Sequence, residues 1–259
     1  MIPFNCSEYV ISNRIELTVL DIEHLTGAVK SILDKNFVSI CEGSSGTDLV
    51  TAKKEVANLY ARKDEDWKMG ATAEFFVHLY LKLRGFKQEC LFLNLEEGSI
   101  KKGFDGYYSL HNVEWLMESK AGAAKNTGVS HVNKVKLAMR DLEDKVAGRP
   151  KRGCTPNNPW KNAYSHASHC DVGTAANLRK NIKALADDFT NGKFHLIDEF
   201  NTIPCGTIYL SGIWTPPNHQ DVFDGIQAIS NILKGQKIHA ICVTHKSVDL
   251  FISYINQGS

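Results

Sequence analysis

No apolar run in the chain reaches the roughly 18 residues that a membrane-spanning helix requires, so none is expected. The opening residues, MIPFNCSEYVISNR, lack a basic start followed by an apolar stretch, and a secretory leader is not expected either. Disulfide-framework spacing is also missing. The seven cysteines, at 6, 41, 90, 154, 170, 205 and 242, are odd in number, scattered, and form no C-x-x-C pair. Free thiols in a reducing cytoplasm are the expectation. There is no internal repeat and no low-complexity tract. Charge of one sign is not in excess either: 30 basic against 29 acidic residues leave a net charge of +1. A protein that coats nucleic acid without specificity is usually more basic, although a local basic groove is enough for binding. The SSGT run at 44–47 lacks the Lys-Ser/Thr ending of a phosphate-binding loop, so no ATP site is visible and an energy-driven step would need another chain.

What is present is ordinary globular material. With 259 residues and 43% apolar content, the chain can bury one large core or two small ones. Residues 15–20 suggest a short strand and 22–33 a helix capped by Asp21. The Gly/Ser-rich 42–48 reads as a loop, with Asp48 capping a helix over 49–62 and a charged connection at 63–67. A helix over 71–84 ends at Gly85, and 90–95 reads as a strand followed by a turn at 96–99. Two strands, 103–110 and 113–119, are joined by a tight His111-Asn112 turn, and a helix spans 129–146. Residues 148–171 show no periodicity. A polar helix over 173–191, a strand over 207–213, a helix over 221–233 and strands over 238–244 and 248–253 complete the chain. This order argues for an α/β fold with a mixed sheet flanked by helices.

The segment GFDGYYSLHNVEWLMESKAG, 103–122, carries the chemistry. Strand side chains alternate between faces, so Glu118 and Lys120 share one face while Ser119 points to the other with its backbone carbonyl available. The hairpin brings Asp105 beside them. Two carboxylates and an ammonium at one place suit phosphodiester hydrolysis. A divalent cation there neutralises charge on the scissile phosphate and lowers the pKa of a water. Mg²⁺ (or Mn²⁺) prefers such oxygen ligands and keeps several waters. Lysine beside two carboxylates stays protonated, which suits water positioning and charge stabilisation better than general-base work. The competing reading is an exposed Glu118–Lys120 salt bridge, which leaves Asp105 and the apolar neighbours Phe104, Leu116 and Met117 unexplained.

Gly103-Phe104-Asp105 and Glu118-Ser119-Lys120 resemble the PD-(D/E)xK nuclease superfamily, with Phe104 where a proline might stand. The resemblance covers about residues 70–146. It implies a PD-(D/E)xK nuclease-like core within 67–259, residues 1–66 forming an N-terminal α/β extension. Asp105, Glu118, Ser119 through its carbonyl, and Glu74 on the preceding helix would then serve as metal ligands, with Lys120 catalytic. Glu74 could equally be a polar residue on a helix's outer face. GFDGYY…WLMESKAG is also similar to the nuclease subunits of Hachiman-type antiphage defence, the HamA family, which implies a helicase partner.

Lys125, Lys134, Lys136, Arg140, Arg149, Lys151, Arg152, Lys161, Arg179, Lys180 and Lys183 follow the core and could track a phosphate backbone, or simply solvate their faces. Of these, Lys125, Lys134, Arg149, Lys151, Arg152 and Lys180 are the candidate DNA contacts. Cys154, His166, His169 and Cys170 have zinc-ligand chemistry but the spacing of no familiar finger, and an incidental cluster is the preferred reading. The function expected is a Mg²⁺-dependent DNA endonuclease in antiphage defence. A stand-alone restriction endonuclease and an inert nucleic-acid or partner-binding module on the same fold are the alternatives.

Overall fold

The computed structural model describes residues 3–93, 103–149, 157–210 and 213–257. In chain order its strands and helices are β1 (Asn5–Val10), β2 (Ile15–Ile22), α1 (Gly27–Glu42), α2 (Leu49–Ala61), α3 (Glu65–Leu83), β3 (Lys87–Gln88), β4 (Gly106–Leu110), β5 (Val113–Ala123), α4 (His131–Val146), α5 (Pro159–Ser168), α6 (Ala176–Thr190), β6 (Asn201–Tyr209), α7 (His219–Gln227), β7 (Ile238–His245) and α8 (Asp249–Ile255). The strands form one sheet in the order β1-β2-β7-β6-β5-β4-β3. Its centre is parallel, where β2, β7, β6 and β5 run side by side. Both margins are antiparallel hairpins. The α/β reading with a mixed sheet therefore holds, and β2 ties residues 1–66 into the same sheet as the rest through its ladder with β7.

Each face of the sheet has its own core. One gathers α1, α2, α3 and α8 around Phe37, Phe75, Phe76 and Phe251. The other gathers α4, α5, α6 and α7 around Val135, Leu142, Trp160 and Ile226. The central strands are buried on both faces, as parallel strands covered by helices must be.

Several expectations change here. Asp21 caps no helix: β2 runs on to Ile22, and α1 begins at Gly27 under Thr26. β2 is buried at every position but Glu16 because it is covered on both faces, and Asp21 instead accepts from Asn5 at 2.9 Å. Residues 90–93 form no strand. Their backbone donates to the end of α1, with Phe92 N to Ile40 O at 3.0 Å and Leu93 N to Cys41 O at 3.1 Å. Residues 94–100, with the turn expected there, lie outside the described residues. Residues 248–253 belong to a helix, because Phe251, Tyr254 and Ile255 reach the core at helical spacing. The segment 148–171 contains α5, which opens on an Asn158 cap followed by Pro159. Strand β6 begins at Asn201, earlier than expected, and carries Pro204 inside the sheet. Its ladder to β7 skips Ile203 and Pro204, which accommodates the missing N–H. The edge strand β1 was not expected at all.

Other local readings stand. Asp48 caps α2 through Thr51 N at 3.0 Å. His111 and Asn112 both take positive φ, 49° and 63°, the geometry that a two-residue hairpin between twisted strands demands. The close packing of α5 beneath this hairpin depends on Gly103. A Cβ there would fall 2.3 Å from the Pro159 carbonyl oxygen and 2.4 Å from its Cα. Gly103→Ala is expected to destabilise the fold by about 1–3 kcal/mol, as overpacking against backbone does. Urea unfolding measures it; an unchanged midpoint would mean that α5 moves aside freely.

Candidate active site

The site begins with the β4–β5 hairpin. Gly106 pairs with Met117, so Asp105 arrives opposite Glu118. The Asp105 carboxylate accepts the Ser119 backbone N–H at 2.9 Å, which pins its side chain to β5. Along β5, Trp115 and Met117 enter the core on the α3 side while Leu116 enters the core on the α4 side. Glu118 and Lys120 continue the Leu116 row, and their partners lie on α4. Lys120 Nζ stands 2.8 Å from Glu118 Oε1 and 2.7 Å from Asp141 Oδ2. Lys145 Nζ donates to the other oxygen of Glu118, Oε2. Phe104, stacked edge-on against Trp160 at 4.9 Å, anchors the strand start beside Asp105.

Glu118 is almost fully buried, at 2% exposure, whereas the Lys120 side chain is 28% exposed and forms the open rim. Burial pushes the Glu118 carboxyl above the usual range and Asp105 adds to this, against the pull of Lys145 and Lys120. Burial works against the Lys120 charge, but Glu118, Asp105 and Asp141 overcome it and hold its pKa above normal. Lys145 behaves in the same way, with Glu118 and Asp105 outweighing burial. Lys120 is therefore held as an ammonium, with no lone pair to offer as a base.

Three of the expected residues, Asp105, Glu118 and Lys120, are brought together. Ser119 takes part through its N–H and lies in register with Cys205 of β6, while its hydroxyl points away, buried and without a hydrogen-bond partner among the described residues. Glu74 sits on α3, the helix covering the opposite face. It is 5% exposed and bonded to His78 Nε2 at 3.2 Å, while His78 Nδ1 meets the Tyr108 hydroxyl. Burial raises the Tyr108 pKa, and both Glu74 and Asp105 contribute.

Asp141 and Lys145 are the site residues that sequence reasoning missed. They lie one turn apart on α4, each next to a core residue, Leu142 or Val146. That position on the border of the apolar stripe is readable in sequence, but the strand that they reach across to is not. Three carboxylates then face two ammonium groups. Among the described residues, no three His, Cys, Asp or Glu side chains form a metal-holding group. The hard-oxygen pair Asp105 and Glu118 nevertheless fits Mg²⁺, which needs only one or two carboxylates and retains waters.

Among the candidate DNA contacts, Lys134 lies closest to this set. Its Nζ and Cε pack where a Cβ on Gly122 would stand, 2.7 Å away, and burial and Lys120 lower its pKa. Lys125 is exposed in the turn after β5, and Lys180 is exposed on α6. Arg149 is paired with Asp144 at 3.0 Å and Glu143 at 3.2 Å, so its charge is already met. Lys183 is likewise paired with Asp187 at 2.5 Å. Lys151 and Arg152 lie outside the described residues, as does Cys154 of the possible zinc set. In that set, His166 is buried on α5, and His169 and Cys170 follow it. No helix of the described residues is long and apolar enough to cross a membrane. No protein-family model matches the chain, and no curated protein matches it.

Proposed function

We propose that the chain is a divalent-metal-dependent DNA endonuclease of the PD-(D/E)xK kind, working in antiphage defence with a helicase partner. The observation that carries this reading is the convergence of Asp105, Glu118 and Lys120 on one face of the sheet. Asp105 and Glu118, with the Ser119 carbonyl, would hold Mg²⁺ or Mn²⁺, which supplies charge neutralisation at the phosphate and a more acidic water. Lys120, steadied by Asp141, orients the attacking water and stabilises charge developing on the phosphate. Lys134, beside Lys120, is the first of the DNA backbone contacts. Glu74 enters as a support that tunes the site through His78 and Tyr108. The near-neutral charge of +1 and the lack of a phosphate-binding loop leave helix opening and much of the DNA affinity to a partner, in keeping with the Hachiman resemblance.

One observation favours a different reading. Both Glu118 oxygens are engaged by lysines, as in an inert salt-bridge cluster. Incubation with linear and supercoiled DNA separates the two. Cleavage that requires Mg²⁺ or Mn²⁺, stops with chelator, and falls by at least about 100-fold in Asp105→Asn is expected of the nuclease. Cleavage that survives Asp105→Asn, or none by the chain with or without its native partner, would set the nuclease aside.

A further inference from the structure

We infer that Lys145 is a gate on metal loading: its ammonium holds the place on Glu118 that a divalent cation must take, and it is released toward the substrate when the cation binds. This rests on the nuclease reading above.

The argument starts from an asymmetry between the two lysines. Lys120 has two acceptors, Glu118 Oε1 at 2.8 Å and Asp141 Oδ2 at 2.7 Å. If Glu118 turns its charge to a cation, Lys120 stays anchored by Asp141. Among the described residues, Lys145 has Glu118 Oε2 as its one ion-pair partner. Asp105 would be engaged by the same cation, and one of its oxygens already accepts the Ser119 N–H. A cation on Glu118 therefore leaves Lys145 unpaired, in a site that gains positive charge and repels it.

Lys145 is also built to move. It stands near the C-terminal end of α4, two residues before the helix stops at Ala147, on a four-carbon stem whose side chain is 26% exposed. The rim is therefore within its reach. There an anionic phosphate is the natural acceptor for a freed ammonium, as a point charge rather than a bidentate clamp. The same lysine neutralises a carboxylate that is 2% exposed and facing Asp105, at the cost of metal affinity. Loading and substrate engagement are thereby coupled. The cation must displace Lys145, and the displaced charge favours a bound phosphodiester.

Two measurements test this. The first is Mn²⁺ binding, read from the electron paramagnetic resonance signal of the free ion. Lys145→Met removes the competing ammonium and is expected to bind Mn²⁺ at least about tenfold more tightly than the wild-type chain. Equal or weaker binding by a folded Lys145→Met overturns the gate. The second uses the wild-type chain alone and is immune to a folding failure of the variant. Acetylation of Lys145 by acetic anhydride, followed by mass spectrometry, is expected to speed up several-fold when Mn²⁺ is added, with the exposed Lys180 on α6 unchanged. Lys145 labelling that does not respond to bound Mn²⁺ overturns the gate and leaves the nuclease reading standing. Absence of Mn²⁺ binding in both chains overturns the two together.

Discussion

Replacing Glu118 and Lys120 together with alanine is expected to abolish Mg²⁺-dependent DNA cleavage, by at least about a thousandfold, in a protein that still folds. The double replacement is the better-behaved test for an electrostatic reason. Glu118 is buried at 2% exposure between Lys120 and Lys145, and removing it alone leaves two ammonium groups facing each other. Breaking a buried pair from one side typically destabilises by about 3–5 kcal/mol, whereas removing both members is far milder. In the double variant Lys145 loses its partner but keeps the attraction of Asp105, which already helps to hold its charge. Circular dichroism would establish the fold, and plasmid cleavage in Mg²⁺ the activity. Undiminished cutting by the folded double variant would sink the active-site assignment.

Acid should unfold this protein early, between about pH 6.5 and pH 4. Three buried histidines sit in the fold as neutral rings. Burial lowers His131 from 6.5 to about 4, with His219 lowering it further and the Val243 carbonyl and Asp21 opposing. Burial, with Arg84, lowers His239 to about 4. Burial lowers His245 to about 3, outweighing a contact from the Ser247 backbone. The unfolded chain takes up these protons as pH falls below 6.5 and the native state refuses them. Stability is therefore complete above the unfolded value and is lost as pH drops toward the native ones. At about 1.4 kcal/mol for each pH decade of refusal, each ring removes about 3 kcal/mol, against a total stability of about 5–15 kcal/mol. His245 is the clearest test, since among the described residues neither ring nitrogen makes a hydrogen bond of good geometry and the ring lies between Phe76, 4.9 Å away, and Tyr209, 5.1 Å away. His245→Phe is expected to move the acid midpoint, followed by far-UV circular dichroism, to lower pH. An unmoved midpoint would mean that His245 carries none of the acid sensitivity.

How much of this was legible beforehand depends on the range of the interactions. The β4–β5 hairpin rests on a two-residue turn and on strand alternation, both local, so the meeting of Asp105, Glu118 and Lys120 could be reasoned from residues 103–122. Capping is local too, and Asp48 was readable as the start of α2. Short apolar runs were not. Residues 248–253 read as a strand by pattern, and only the contact of Phe251, Tyr254 and Ile255 with the aromatic core made them a helix. Pro204 argues against a central strand until the gap in the β6–β7 ladder is seen.

By itself, then, the sequence determined the α/β class, most of the helices, and a face of β5 bearing Glu118 and Lys120 with Asp105 alongside. The tertiary structure decided everything that needs two elements distant along the chain. It laid α4 over that face, which supplied Asp141 and Lys145, and it put Glu74 on the helix of the opposite face, in partnership with His78. The reason is physical. Alternation and helical period say which way a side chain points relative to its own backbone, whereas its partners are chosen by the packing of a sheet with two covered faces, and no local pattern encodes which helix covers which.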